Sequence, residues 1–455
     1  MQFDIDQSLV EECEMYIVGH KIFVRMKDIP MYLSRKTKDS IRNRYSHSVE
    51  VGLSTEYLLA SVSRKLDREI DLNFFGIAKI VGMVHDLGHT AFSHDGEVIL
   101  DKMLTKASKK LPQTIRFNAN LNNFRRIEKY RLFDLLPDDV KKYAMASLVK
   151  SKGELREYPE YLFLRSYLEH GVSFEEQYLL SKGLIVDNES GKTILCQAMD
   201  IADENRYRVT DIIDILNIYT KQKLADMLTR SITSTINVKQ MRKLVSFSLP
   251  NRLLDSSRHI DKMSVKELLI MLLDQESSAK TEFQNTMNRI SMAFNRNFLL
   301  SDKGVLLPEH QELERLRNNF KNIDAKYIWG SKKIKNIKKP FNHYFNTVAD
   351  YFINKRYNTS FVDSVTYRKA LDALRESDLE VDHRRYRELL LMRNFLGGLT
   401  NPKIIELYKK IRIEECEDLL SCKIEKRDKF IEKVSIRDFE KRLERYMDRV
   451  SKATA

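Results

Sequence analysis

Glycine and proline are scarce in this chain, at 14 and 8 of 455 residues, well below average usage. Sheet-rich folds need turn residues often, so the scarcity argues against a β-sandwich, a barrel or a propeller. Cysteine is also rare. Cys13, Cys196, Cys416 and Cys422 form no CxxC pair, which argues against a disulfide framework or a zinc ribbon. No stretch approaches the roughly 20 apolar residues of a membrane span. The opening MQFDIDQSLVEECEM is acidic and lacks the basic and apolar regions of a signal peptide. The expected address is therefore the reducing cytoplasm, with no membrane partner. What the chain does have is charge and apolar bulk. Lys plus Arg total 78 against 65 for Asp plus Glu, a net charge of +13, and 42% of residues are hydrophobic. That apolar content fills a sizeable core and rules out wholesale disorder. The basic excess favours polyanionic partners, nucleotides or nucleic acid, although solubility alone also explains it.

The dominant period is helical, and the fold class expected is all-α. Residues 71–85 are apolar nearly all round and predict a buried helix. Residues 47–62, 193–217, 265–293 and 366–397 carry amphipathic helical patterns. Three stretches read as interruptions: a loop at 90–96, a surface connection at 151–159, and the basic segment 324–342. From Phe430 on the chain reads as a solvated charged helix with a frayed end. The length suggests two or three packing units. The division expected is a catalytic core over 1–230, a helical connection over 231–300, a C-terminal helical region over 301–412 and a charged tail over 413–455.

Histidine carries the chemical signal. Four of the ten, His47, His85, His89 and His94, fall between positions 47 and 94, and HDLGHTAFSHDGE runs from His85 to Glu97. On a helix, His85 and His89 would share a face, with Asp86 about 100° round from His85. Glu97, three residues after His94, is placed to orient and polarise it. Mixed nitrogen and carboxylate ligands suit manganese, iron, zinc or magnesium rather than a soft metal. A lone histidine on an apolar helix is usually a packed core residue. Three histidines with Asp86 and Glu97 in 13 residues fit a metal or phosphate site better.

RNRYSHSVEV (Arg42–Val51) followed by HDLGHTAFSHDGE resembles the HD-domain phosphohydrolases, and within them the deoxynucleoside triphosphate triphosphohydrolases of the bacterial dGTPase type. That family reads RTRLTHSLEV, then HDxGHPPFGHxGE. Three weaker segments follow in the right order: FNANLNNFR (Phe117–Arg125), QAMDIADENRYRVTDIID (Gln197–Asp214) and NFLGGLTNPKIIELYKKI (Asn394–Ile411). The resemblance implies an HD-domain helical core with a C-terminal helical extension, and a divalent metal (Mn, Mg, Fe or similar) held by His47, His85, Asp86 and an aspartate near position 200. Asp200 and Asp203 compete for that last place. The family sets a tyrosine four residues and an aspartate eight residues after its ligand. Asp203 has Tyr207 and Asp211 there, whereas Asp200 has Glu204 and Arg208, so Asp203 is the choice.

The same resemblance implies hydrolysis of a dNTP, dGTP included, to deoxynucleoside and inorganic triphosphate. His94, paired with Glu97, would move the proton and His89 would contact the phosphate chain. Arg44 would clamp phosphate oxygens, which suits the arginine fork, and its bland alternative is a surface arginine at a helix start. Tyr207 and Asp211 would read the deoxyribose. Asn120 and Asn122 would touch substrate, or else hold their own loop. Thr90, Ala91 and Ser93 replace two prolines and a glycine of the family pattern, Ile213 replaces an acidic residue, and Asn122 stands where glutamine is usual. Relatives of this kind are homo-oligomers, hexamers or tetramers, and some have activator sites. Lys332, Lys333, Lys335, Lys338 and Lys339, flanked by Tyr327, Trp329, Phe341 and Tyr344, fit single-stranded DNA, a nucleotide activator, or most simply a solvated basic loop. Two other functional classes stand beside the leading one: an HD phosphohydrolase for an alarmone, a monophosphate or a cyclic dinucleotide, and a nucleic-acid- or nucleotide-binding regulator without turnover.

Overall fold

The computed structural model describes residues 6–31, 42–66, 70–150, 158, 161–184, 191–214, 221–233, 277–354, 359–362 and 364–421. Its helices are α1 (Gln7–Gly19), α2 (Lys21–Val24), α3 (Arg44–Lys65), α4 (Leu72–Val84), α5 (Ser93–Ser108), α6 (Ala119–Tyr130), α7 (Asp138–Ala146), α8 (Tyr161–Ser181), α9 (Ile194–Asp214), α10 (Lys221–Thr233), α11 (Ser277–Arg296), α12 (Gln311–Ile323), α13 (Lys332–Asn354), α14 (Val365–Arg375), α15 (Val381–Gly398) and α16 (Asn401–Ser421). The sheet content among the described residues is one antiparallel hairpin, β1 (Phe298–Leu300) and β2 (Leu306–Pro308), with Leu299 opposite Leu307. The fold is all-α, as the shortage of turn residues predicts. Among the described residues no helix is long and apolar enough to cross a membrane.

The described chain divides into two compact units that interleave in sequence. One comprises residues 1–24, 44–87 and 123–332, the other residues 25–43, 88–122 and 333–455. In the first unit, α4 is the apolar centrepiece. Phe74, Ile77, Ala78, Ile80, Val81 and Val84 are all buried, which the near-continuous apolar run dictates. Helix α3 packs against α4 and α9, and α7 packs against α8. The α3–α4 crossing is glycine-mediated. A Cβ built on Gly82 would stand 2.8 Å from the Gly52 Cα, and one on Gly52 would stand 2.8 Å from the Lys79 carbonyl oxygen. No side chain fits between those backbones. Gly82→Ala is therefore expected to cost about 1–3 kcal/mol through overpacking. At about 2–4 °C per kcal/mol, the drop in unfolding midpoint is readable by calorimetry, and an unchanged midpoint would contradict so close an approach.

In the second unit the core is built from Leu100 and Leu104 of α5, Phe345, Val348 and Phe352 of α13, Leu389, Met392 and Leu396 of α15, and Leu407 and Ile411 of α16, all buried.

Three sequence expectations are corrected. The loop at 90–96 ends early, because α5 begins at Ser93. Gly96 lies inside that helix, where a Cβ would meet the Ala91 carbonyl oxygen at 2.0 Å, so it serves close packing and does not punctuate a loop. The basic segment 324–342 does not interrupt the helices: Asp324–Trp329 is a π-helical turn and α13 starts at Lys332. Ile334, Tyr344, Phe345 and Val348 are buried at helical spacing, which the lysines between them obscure. The pattern over 366–397 is two helices. Ser377 donates its hydroxyl to the Leu374 carbonyl at 2.7 Å, and Arg384 donates to the carbonyls of Ser377 at 2.7 Å and Leu379 at 3.1 Å. These bonds satisfy backbone groups that a continuous helix would use. The connection at 151–159 (Tyr158 apart), residues 215–217 and 265–276 of two expected helices, most of the 231–300 connection and the tail beyond 421 lie outside the described residues.

Candidate active site

The first unit brings His47, His85 and Asp203 together. His47 sits in the first turn of α3, and His85 follows the last residue of α4, so the close α3–α4 crossing sets the two rings 5.5 Å apart. The His85 Nδ1 lies 2.6 Å from the Gly82 carbonyl. A carbonyl only accepts, so Nδ1 carries the proton and Nε2 is the free lone pair, which is how metal-binding histidines are usually oriented. Asp203, on α9, places Oδ1 3.0 Å from His47 Nε2 and 3.5 Å from His85 Nε2. Asp86 lies alongside, its Oδ1 3.3 Å from His85 Nε2 and its Oδ2 3.8 Å from His47 Nε2. Asp86 is also ion-paired to the buried Arg44.

The donor atoms of His47, His85 and Asp203 all lie within 4.8 Å of one another. Ligands at about 2.1 Å from a shared cation, at tetrahedral or octahedral angles, stand about 3.0–3.5 Å apart. The buried His85 Nε2 faces the Asp86 and Asp203 carboxylates at 3.3 and 3.5 Å, so nitrogen and oxygen donors converge as they would around a cation. The residues therefore fit a divalent ion.

The charges point the same way. Burial alone would raise the Asp203 carboxyl, but Lys150, His85 and His47 hold it well below its usual range. Lys150 Nζ is 2.9 Å from Asp203 Oδ2. Burial opposes its charge, yet Asp203, Asp200 and Asp86 keep it protonated. Burial depresses the His47 imidazole, whereas at His85 the charges of Asp86 and Asp203 outweigh burial and raise it. A proton at His85 Nε2 would compete with a cation for that lone pair, so cation binding there would weaken as pH falls. Asp200 is not among the grouped donors; it pairs with Lys192 at 3.1 Å and reaches Lys150 at 3.7 Å. Lys150 escaped the sequence reading. Its one signal is a cation set directly after a buried run, Ala146 to Val149.

Helix α9 is anchored at its start by a buried carboxylate. Glu175, on α8, accepts the Ile194 amide at 2.8 Å and the Tyr143 hydroxyl at 2.5 Å. Burial pushes its carboxyl up to about 7, against the Tyr143 and Ile194 hydrogen bonds. The folded protein then holds a proton that the unfolded chain has released between pH 4.5 and about 7. Stability falls as pH rises through that window and not beyond it, by about 3 kcal/mol at most. Glu175→Gln is expected to flatten this slope in denaturant titrations at pH 5, 6 and 7.5. Identical slopes in the two proteins would mean that the carboxyl titrates normally.

The second unit gathers His89, His94 and Glu97. Glu97 Oε2 is 3.5 Å from His94 Nδ1 and 3.9 Å from His89 Nδ1, and the two imidazoles stand edge-to-face at 4.7 Å. Glu97 also accepts the Ala119 amide at 2.7 Å. Burial would raise its carboxyl, but His94, His89 and Ala119 together lower it. His94 is the exposed member, its side chain 60% accessible. The expectation that His85 and His89 share a helix face is corrected: α4 ends at Val84, and the turn beyond it sends the two residues into different groups. Phe92 and Ser93 both have positive φ, 59° and 56°, a conformation that costs about 1–2 kcal/mol per non-glycine residue. It turns the chain into α5, which presents His94 in its first turn and Glu97 just beyond it.

The other candidates are placed as follows. Tyr207 and Asp211 lie one and two turns beyond Asp203 on α9. Asp211 is buried, and burial, with Glu204 nearby, pushes Tyr207 up to about 12. Asn122 donates to the Gly88 carbonyl at 2.7 Å, the loop-holding alternative, and Asn120 lies half-buried at the start of α6. In the basic segment Lys332, Lys335 and Lys339 are exposed, Lys338 pairs with Asp95 at 2.9 Å, and Phe341 packs on Phe92. The side chains of Ile213, Trp329 and Lys333 lie outside the described residues.

The helical fold presents an imidazole–carboxylate cluster that could hold a metal ion, and the comparisons with known proteins agree on one kind of relative. The chain is similar to a Vibrio cholerae protein named Deoxyguanosinetriphosphate triphosphohydrolase-like protein 2, 26% identical over 182 residues, 39% of each chain. It is also similar to a Brucella ovis Deoxyguanosinetriphosphate triphosphohydrolase-like protein, 26% identical over 263 residues, 57% of each chain. A Caldanaerobacter subterraneus protein of the same name is 31% identical over 107 residues, 24% of this chain and 29% of that protein. The chain thus spans about two fifths of the Vibrio relative's length and under three fifths of the Brucella relative's. No family model matches. All three relatives are named as dGTP triphosphohydrolase-like proteins, in agreement with the family that the motifs in the sequence resemble.

Proposed function

We propose that the protein is a divalent-metal-dependent phosphohydrolase that cleaves deoxynucleoside triphosphates, dGTP among them, to deoxynucleoside and inorganic triphosphate. The observation that carries this reading is the convergence of His47, His85 and Asp203, with Asp86 beside them, in a chain similar to dGTP triphosphohydrolase-like proteins. His47, His85, Asp86 and Asp203 hold the ion, which when bound supplies water activation and phosphoryl polarisation. Asp203 stays ionised through its contact with Lys150, and Lys150 in turn sets a fixed cation against incoming phosphate charge. Arg44, gripped by Asp86, offers a guanidinium to phosphate oxygens. We assign proton transfer to His94, oriented by Glu97, and a phosphate contact to His89, because the chain carries them in the same 13-residue motif as His85 and Asp86. Tyr207 and Asp211 read the sugar: a ring packed on C2′ leaves no room for a ribose hydroxyl, and a carboxylate accepts from the 3′-OH. A dNTP substrate sets the working protein in the cytoplasm. A nucleotide activator and a hexameric or tetrameric assembly belong to the same reading.

The test is product analysis. Purified protein is incubated with each of the four dNTPs and with GTP, in Mn²⁺ or Mg²⁺, and the products are resolved by anion exchange. The expected result is deoxynucleoside plus triphosphate, lost in Asp86→Ala. No turnover of any dNTP, even in dNTP mixtures that supply activators, would overturn the reading and turn attention to alarmones, monophosphates and single-stranded DNA.

A further inference from the structure

We infer that the turn between α15 and α16, Leu396–Asn401, together with Arg25, fixes the His89–His94–Glu97 loop in its working conformation, with Arg25 and Asn401 acting as positioning residues. This rests on the catalytic role proposed for His94. The loop from Gly88 to Ser93 is held at nearly every residue. Arg25 donates Nη2 to the His89 carbonyl at 2.6 Å. The same guanidinium donates to the carbonyls of Gly398 at 2.8 Å, Gly397 at 3.3 Å and Leu399 at 3.4 Å, the carbonyls a helix end leaves unsatisfied. One planar cation thereby ties the His89 backbone to the end of α15. Thr90 adds a bond from its hydroxyl to the Leu396 carbonyl at 3.2 Å.

Asn401 holds the critical point. Its Oδ1 accepts the Phe92 amide at 2.8 Å, at the first of two consecutive residues with left-handed backbone. Such a conformation persists only where the surroundings over-determine it. The next residue, Ser93, is fixed by its hydroxyl to the Pro30 carbonyl at 3.0 Å. His94 follows at once, so its orientation inherits whatever error those bonds allow. Asn401 is buried and its Nδ2 has no hydrogen-bond partner, so the acceptor oxygen is what the site uses. As the first residue of α16, it stands where a helix N-terminus tolerates a carboxylate, which makes aspartate a functional substitute.

The experiment compares Asn401→Leu, Asn401→Asp, Arg25→Lys and the unmodified protein, by hydrogen–deuterium exchange of the peptide covering 88–97 and by dNTP kinetics. In Asn401→Leu, exchange at 88–97 rises about tenfold or more while the α4 peptide is unchanged. Turnover, kcat, falls about 10²-fold with KM within a few-fold, as expected for a misplaced catalytic group. Asn401→Asp restores both, and Arg25→Lys, with one donor head in place of a fork, falls between. Equal exchange in Asn401→Leu and the unmodified protein, or an Asp variant no better than the Leu variant, would overturn the inference. If the unmodified protein turns over no dNTP, the functional reading fails while the exchange result still decides whether the turn holds the loop. If Asn401→Leu does not fold by circular dichroism, Arg25→Lys carries the same comparison.

Discussion

Asp203→Asn is expected to empty the metal site and to lower dNTP turnover by about 10²–10⁴-fold. Asp203 is the hub of the first unit's charges: it meets His47 at 3.0 Å, His85 at 3.5 Å and Lys150 at 2.9 Å. Asparagine keeps the shape and removes the charge. Lys150 is then a largely buried cation whose nearest carboxylate is gone, and breaking a buried pair in this way costs about 3–5 kcal/mol. At 1.36 kcal/mol per decade, that penalty alone sets the scale of the predicted loss if it is felt in metal binding. Metal content by inductively coupled plasma mass spectrometry after gel filtration reads the binding step, and product release reads the chemistry. Asp200→Asn is the control. Asp200 contacts Lys192 and Lys150 and is not grouped with the two histidines, so its loss changes turnover by no more than a few-fold, as for other partly exposed pairs. Normal metal stoichiometry in Asp203→Asn, or a larger defect in Asp200→Asn, would remove Asp203 from the site.

How much of this was readable in the chain depends on the kind of interaction. The helices rest on local periodicity, so the buried run of α4 and the amphipathic stripe of α9 are visible in sequence. The candidate ligands are visible too, because histidine and aspartate at motif spacing are chemically conspicuous. Three features are not. The turn after Val84 is invisible to a helical wheel, which carries His85 and His89 on one face, whereas the structure sets them in separate groups. Lys150 looks like any surface lysine, because its role comes from α9 bringing Asp203 against it across 53 positions of sequence. Arg25 and Asn401 act through backbone carbonyls and amides, 64 and 309 positions away, and a backbone partner leaves no trace in residue type. The division into interleaved units escapes for the same reason, since it depends on which distant segments pack together. The basic stretch before α13 misleads in the other direction, its lysines masking an apolar period that packing then reveals.

His94→Gln is the second large effect expected: a fall in kcat of about 10²–10⁴-fold, the range of a lost general acid or base, with metal content unchanged. Glutamine approximates the reach of the imidazole and takes no proton, so the comparison isolates proton transfer from bulk. The structure supplies a partner test. Glu97 lies 3.5 Å from His94 Nδ1 and 3.9 Å from His89 Nδ1, and its carboxyl is held below the usual range by those imidazoles and the Ala119 amide against the pull of burial. A carboxyl so depressed stays ionised through the neutral range and gives the His94 ring a charged partner that fixes its orientation. Glu97→Gln removes that charge while keeping the shape. In that variant kcat drops about 10–100-fold with metal content unchanged, the usual cost of losing an orienting partner. If His94 instead serves only to contact phosphate, both His94→Gln and Glu97→Gln raise KM at nearly constant kcat. The two patterns separate proton transfer from binding in one set of steady-state kinetics.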